Sequence, residues 1–123
     1  MITGIQDVYY NVSDMAQAVR FYTEVLGCTV NFGNDYWTSL SAHGINLGLH
    51  GTNGRPIPTI DQDTHGANCG ATLTFKSDDF TADKTHLEAH NATIVSEVIA
   101  DFGSVLIFKD PDGNILKLMQ PNY

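Results

Sequence analysis

The chain has 123 residues, enough for one domain with an ordinary hydrophobic core, and 42% of them are apolar. Its formal net charge of −8 excludes a nucleic-acid backbone or an anionic membrane surface as the partner, because both require a basic footprint. With two cysteines, no signal-peptide pattern and no apolar stretch of membrane-spanning length, we expect a cytoplasmic protein with reduced thiols.

The first half of the chain predicts one strand, one helix and three more strands. Residues 4–12 alternate between apolar and polar side chains well enough for a half-buried strand. Ser13 or Asp14 can cap the following helix, whose apolar residues recur at helical spacing until Gly27 stops it. Three short strands are then expected at 28–33, 36–41 and 45–50.

The second half repeats this order after a connection. Residues 51–67 hold three glycines and two prolines, which is typical of a surface loop. Beyond the loop we expect, in order, a strand at 69–76, a helix at 79–90 opened by Asp78 or Asp79 and ended by Asn91, and strands at 93–99, 103–109 and 114–120.

The element order therefore predicts an α+β fold of two βαβββ modules in tandem. Its eight strands and two main helices would surround a common cleft, since repeated units bury a face against each other and clefts are ordinary ligand sites. The modules would occupy about residues 1–50 and 68–123 of a single domain, joined by the loop at 51–67.

The turn before the last strand holds two carboxylates, Asp110 and Asp112. Asp at the first position, Pro111 at the second and Gly113 at the fourth are the residues that a type I turn prefers. A calcium loop would need several further oxygen ligands at set spacings, and the chain continues with apolar residues instead. We predict a chain-reversing turn here.

Four stretches of the sequence share the signature of one superfamily. They are Val12-Ser13-Asp14, Phe21-Tyr22-Thr23-Glu24-Val25-Leu26-Gly27, Leu73-Thr74-Phe75 before Asp78-Asp79, and Phe108-Lys109-Asp110-Pro111-Asp112-Gly113-Asn114. Together with the doubled βαβββ order, they resemble the vicinal oxygen chelate superfamily, which includes glyoxalases, bleomycin resistance proteins and extradiol dioxygenases. The resemblance implies paired modules around a cleft, often closed by dimerisation, and we expect a homodimer.

The resemblance also implies where the enzymes of this superfamily hold a divalent metal. The corresponding positions here are Asp7, either Asn46 or Gly48, Thr72 within one residue, and Lys117. The usual occupants are His, Glu or Gln, so Asp7 is the one good ligand in this set. Lys117 would repel a cation, and glycine offers no side chain. We therefore predict neither a metal nor another cofactor.

The five histidines do not form an obvious metal site. His50 has the strand parity of Asn46 and Gly48, so it either contacts a ligand or lies exposed at a strand end. The others fit solvated positions: His43 in a turn, His65 in the connecting loop, and His86 and His90 on the second helix. His65 could also fold over the cleft, and the two helical histidines could form a metal pair at i, i+4 spacing.

Strand parity separates cleft-facing residues from those that pack on the helices. Besides His50, it directs to the cleft Asp7, Tyr9, Asn11, Thr72, Thr74, Ile115, Lys117, Met119 and either Tyr36 or Trp37. We predict six of these positions as ligand-binding: Asp7, Tyr9, Trp37, His50, Thr72 and Lys117. Alternatively, Asp7 and Lys117 pair with each other and fill the cleft.

The lining favours a metal-free protein that binds or sequesters a mid-sized organic molecule, as bleomycin resistance proteins do, with no residue assigned to catalysis. The sequence has no nucleophile elbow, phosphate loop or dinucleotide fingerprint, and Cys28 and Cys69 fit inert packing. Two alternatives stay open. One is a lyase or dioxygenase with a rearranged metal set such as Asp7 and His50, or with Lys117 as acid, base or imine former. The other is a partner-binding module.

Overall fold

The chain divides into two compact units, Met1–Pro58 and Thr59–Tyr123, in a computed structural model that describes residues 1–57 and 71–123. Each unit contains one βαβββ module. The predicted α+β fold of eight strands and two main helices in tandem modules is thereby confirmed. The common cleft and the single-domain organisation stay predictions, and each unit is described below by itself.

The first unit is a four-stranded sheet with one helix. Its elements are β1 (Val8–Val12), α1 (Met15–Arg20) extended by a π-helical turn (Phe21–Val25), β2 (Thr29–Gly33), β3 (Trp37–Ala42) and β4 (Ile45–Gly51). The strand order is β1-β4-β3-β2, in which β1 runs parallel to β4 and the other neighbours are antiparallel. The predicted strand at 4–12 is shorter, because its pairing with β4 begins only at Val8.

The helix of the first unit starts and stops where the capping residues predicted. The Asp14 carboxylate accepts a hydrogen bond from the Gln17 amide at 3.1 Å, and Gly27 adopts a left-handed φ of +74° after the last turn. Tyr22, fully buried, stacks on Tyr10 with ring centroids 6.4 Å apart. This contact fixes which side of β1 faces the helix.

The second unit repeats the arrangement. Its elements are β5 (Leu73–Lys76), α2 (Phe80–Ala89), β6 (Thr93–Ala100), β7 (Gly103–Lys109) and β8 (Ile115–Pro121). The strand order is β5-β8-β7-β6, with β5 parallel to β8. Asp79 caps α2 by accepting from the Ala82 amide at 3.1 Å, and Asn91 ends the helix with φ of +59°. Residues 69 and 70 of the predicted fifth strand lie outside the described residues, and 71 and 72 are not in the strand.

The turn into β8 is a closed hydrogen-bonded unit, as predicted. The Gly113 amide donates to the Asp110 carbonyl at 3.0 Å, which is the i to i+3 bond of a β-turn. Asp110 is 4% exposed, and its carboxylate accepts from the amides of Asp112 and Asn114 and from Asn114 Nδ2, each at 2.9 Å. Both oxygens of this carboxylate therefore serve the turn.

Cys28, buried just after the helix, should react slowly with thiol reagents. Burial raises the pKa of its thiol from 9.0 to about 11, which lowers the reactive thiolate fraction about 100-fold at neutral pH. In a Cys69→Ser variant, we expect Ellman's reagent to label Cys28 at pH 8 at least about 100-fold more slowly than in the same chain unfolded in guanidinium. Labelling of the folded chain at the unfolded rate would contradict this expectation. Cys69 itself lies outside the described residues.

No helix in the described part of the chain is long and apolar enough to cross a membrane.

Candidate functional site

The sheet of the first unit has one face covered by α1 and one face that points the other way. Leu47 and Leu49 are buried on the helix side of β4. Successive strand residues alternate in direction, so Gly48 and His50 belong to the opposite face. The strand register places Tyr9 beside Gly48, and Trp37 beside His50. We call this side of the first sheet its open face.

Three of the predicted ligand-binding side chains meet on the open face. The ring centroids of Tyr9 and Trp37 are 5.5 Å apart, those of Tyr9 and His50 are 6.0 Å apart, and those of Trp37 and His50 are 6.2 Å apart. Tyr9 and Trp37 meet edge to face, the arrangement that aromatic pairs favour. We call Tyr9, Trp37 and His50 the aromatic cluster.

Gly48 provides the space in which the aromatic cluster lies. A Cβ atom at this position would overlap the six-membered ring of Trp37 and would come within 3.0 Å of the Tyr9 Cβ. The indole therefore lies directly on the backbone of β4. A glycine inside a strand often marks such a close approach, and the sequence INLGLH contained that signal.

The polar groups of the open face include amides and a hydroxyl beside the imidazole of His50. His50 Nδ1 lies 3.0 Å from Asn11 Oδ1, so the ring tautomer with its proton on Nδ1 donates to this oxygen and offers Nε2 as an acceptor. Asn31 Nδ2 donates to Ser39 Oγ at 3.2 Å on the same face. Parity predicted Asn11 on this face, but the Asn31–Ser39 pair was missed. It lies beside an irregularity in the β2–β3 register, which the sequence pattern does not show.

Asp7 and Thr72 occupy corresponding places just ahead of a strand. Asp7 precedes Tyr9 by two residues and Thr72 precedes Thr74 by two, and both are half-buried. In the first unit, Asn46 Nδ2 donates to the Gln6 carbonyl at 3.3 Å. Asn46 thus lies beside the segment that contains Asp7, whereas Gly48 lies beside Tyr9.

Lys117 lies at the middle of β8, on the face of the second sheet that points away from α2. Its register partners are Thr74 in β5 and Ile107 in β7. Gln120, which has the parity of the buried Leu116 and Leu118, accepts a hydrogen bond from the Phe80 amide of α2 at 2.9 Å, so this parity faces the helix as predicted. The Asp7–Lys117 pair stays a prediction, because the two residues belong to different units.

The positions that the resemblance assigns to a metal do not suit a divalent cation. Of the two candidates for one position, Gly48 supplies no donor and Asn46 supplies a neutral amide, which is a weak ligand. Lys117 places an ammonium group on β8. Among residues 1–57 and 71–123, no group of three or more His, Cys, Asp or Glu side chains could hold a metal ion. The residues present therefore do not fit the metal of the superfamily's enzymes.

The other histidines that the structure describes lie away from the aromatic cluster. His43 is exposed, as predicted, but its Nε2 also lies 3.0 Å from the Leu26 carbonyl at the end of the first helix. His86 and His90 lie on exposed α2 surface with ring centroids 4.3 Å apart, and His90 Nδ1 is 2.9 Å from the His86 carbonyl. His65 lies outside the described residues.

The fold and the sequence identify the family. Residues 4–118 match the sequence model of the Glyoxalase/Bleomycin resistance protein/Dioxygenase superfamily, and the chain belongs to this family. A search of curated proteins found no significant match.

Several solved structures share the whole fold. The chain is 25% identical to the protein SMU.1112c, with a TM-score of 0.77 over 98% of this chain and 100% of that one. The fosfomycin resistance protein FosX from Listeria monocytogenes is 13% identical, with a TM-score of 0.76 over 99% and 96% of the two chains. TnmS3, an antibiotic binding protein from Streptomyces sp. CB03234, is 24% identical, with a TM-score of 0.71 over 98% of each chain. At these identities, the likeness to FosX and TnmS3 concerns the fold.

Proposed function

We propose that this protein binds a mid-sized organic molecule on the open face of its first sheet and sequesters it, without a metal and without making or breaking a bond. The observation that supports this most directly is the aromatic cluster above Gly48. Its ligand would include a flat, apolar part that packs on these rings. By the same proposal, the protein acts in the cytoplasm as a homodimer.

The aromatic cluster has the properties of a ligand surface. Tyr9 is 53% exposed even though it contacts two other rings, so part of its apolar area is available to a bound molecule. The surrounding polar groups include amides and hydroxyls, and in the ring tautomer whose Nδ1 donates to Asn11, His50 Nε2 can accept from a donor on the ligand. Ligand sites combine apolar walls with a few placed polar groups in this way.

The family supports binding as an activity of this fold. TnmS3 is described as an antibiotic binding protein and FosX as a fosfomycin resistance protein. The donor set of this chain favours binding over metal-dependent chemistry, since Lys117 and either Asn46 or Gly48 occupy positions where the superfamily's enzymes have His, Glu or Gln.

The test uses N-phenyl-1-naphthylamine, a neutral aromatic probe whose own fluorescence rises on binding. We expect the wild-type chain to bind it and Trp37→Leu to bind it at least about tenfold more weakly, because the largest ring of the surface is lost. A saturating probe at about 100 times its dissociation constant should add about 2.7 kcal/mol of stability to the wild type.

Tyr36→Leu is the matched control, because Tyr36 is a neighbouring exposed aromatic residue outside the cluster. This variant should keep the wild-type affinity, and EDTA should leave binding unchanged. Equal probe affinity in Trp37→Leu and wild type would refute the proposed site. Stoichiometric metal coordinated by Asp7 in the purified protein would refute the metal-free function.

A further inference from the structure

Half of the basic residues of this acidic chain lie on one face of the second sheet. Lys117 in β8 is beside Thr74 and Ile107. Lys76 follows Thr74 by two residues in β5, and Lys109 follows Ile107 by two residues in β7, so all three side chains leave the sheet on the same side. We call Lys76, Lys109 and Lys117 the lysine face. The whole sequence has six Lys and Arg residues and a net charge of −8.

The strands of the second unit provide no carboxylate to neutralise the lysine face. The four described strands β5–β8 contain one acidic residue, Glu97. Its register partner is Leu106, which faces the helix, so Glu97 lies on the side opposite the lysine face. Glu97 accordingly pairs with Lys84 of α2, at 3.3 Å. Within the described residues of this unit, none of the three lysines of the lysine face takes part in an ion pair.

The surroundings of Lys117 would strengthen its attraction for an anion. Its direct neighbour Ile107 is 2% exposed, and Ile115, two residues before it on the same face, is 3% exposed. Charges beside buried aliphatic groups interact more strongly than charges in water. Lys76 and Lys109 lie diagonally across neighbouring strands from Lys117, a distance at which like charges repel. A bound anion would relieve that repulsion.

We propose that the lysine face by itself binds an oxyanion group of an organic molecule, such as a carboxylate, sulfonate or phosphate. This inference goes beyond the proposed function, because it concerns the second unit alone. It assigns roles to Lys76 and Lys109, which the sequence analysis did not place in the site.

The test compares two probes that differ by one sulfonate group. They are 8-anilinonaphthalene-1-sulfonate and its neutral counterpart N-phenyl-1-naphthylamine. We expect the wild-type chain to bind the sulfonate at least about tenfold more tightly than the neutral probe at about 20 mM salt, and the preference should shrink at about 300 mM salt.

Lys117→Met should remove most of this preference while leaving the affinity for the neutral probe unchanged, and Lys117→Arg should retain it. The double variant Lys76→Gln/Lys109→Gln gives an independent measurement if Lys117→Met is poorly folded, and it should lower the preference as well. Lys84→Met is the matched control, because it removes one positive charge from the other side of the sheet and should keep the preference.

Each failure has its own signature. An unchanged preference for the sulfonate in both Lys117→Met and the double variant would overturn the lysine face, even when Trp37→Leu weakens the neutral probe as proposed. A separate measurement uses inorganic sulfate alone, which we expect to raise the melting temperature of wild type and Lys84→Met but not of Lys117→Met. If neither aromatic probe binds, that sulfate result supports the anion site and overturns the proposed aromatic site.

Discussion

Replacing Gly48 by alanine is expected to displace Trp37 from the sheet and to lower the free energy of unfolding by about 1–3 kcal/mol, the usual cost of overpacking. The added methyl group would overlap the indole, which lies against the β4 backbone, and would press on the Tyr9 Cβ. Because Trp37 is the single tryptophan of the chain, its emission reports the change directly. We expect a red-shifted spectrum, a lower urea midpoint and weaker binding of the neutral aromatic probe.

Gly4→Ala is the matched control, because a Cβ there has no heavy atom within 4 Å, and its stability and spectrum should stay as in wild type. The clash itself is tested by a double-mutant cycle with Trp37→Val. Once the indole is gone, Gly48→Ala should cost much less than it does in the wild-type background. A cost that is the same in both backgrounds would show that the Trp37–Gly48 contact is not the cause.

The contact between Trp37 and Gly48 also bears on metal chemistry at this site. The resemblance places a metal ligand of the superfamily's enzymes at Asn46 or Gly48. A donor side chain at position 48 would have to occupy the volume that the indole fills. Restoring the family's donor at this position would therefore require the removal of Trp37 as well.

The repeated fold could be predicted because its signals are local. Each module has its own capping aspartate and its own positive-φ residue after the helix, and alternating apolar residues mark most of its strands. The π-helical turn at Phe21–Val25 could not be predicted, because one wider turn leaves the apolar spacing nearly unchanged. β1 starts only at Val8 because its pairing with β4 starts there, and the alternation of apolar and polar residues does not identify the partner strand.

The aromatic cluster was only partly predictable, because it depends on strand order. Parity placed Tyr9 and His50 on the same face but left Tyr36 and Trp37 as alternatives. The order β1-β4-β3 brings Tyr9 and Trp37 to opposite sides of β4, where both reach Gly48 and His50. Lys76 and Lys109 each lie two residues after a register partner of Lys117, so they lie on the same face of the sheet as Lys117. They could have been found from the sequence once those partners were known.

Asp110→Ala is expected to lower the free energy of unfolding by about 2–4 kcal/mol, because three hydrogen bonds to a charged acceptor are lost and their half-buried donors lose this partner. The variant leaves the amides of Asp112 and Asn114 and the Asn114 side chain without this acceptor. Urea unfolding followed by circular dichroism measures the change. Asp101→Ala removes the same charge from an exposed turn and should change the stability by less than about 0.5 kcal/mol.

Asp110→Asn separates the two oxygens of the carboxylate. An amide oxygen in place of Oδ1 can still accept from both backbone amides, but the NH₂ group in place of Oδ2 would face the NH₂ group of Asn114. We therefore expect a stability between those of wild type and Asp110→Ala. Because this turn sets where β8 begins, Asp110→Ala should also weaken the preference for the sulfonate probe over the neutral probe. An Asp110→Ala chain as stable as wild type would show that the carboxylate does not hold the turn.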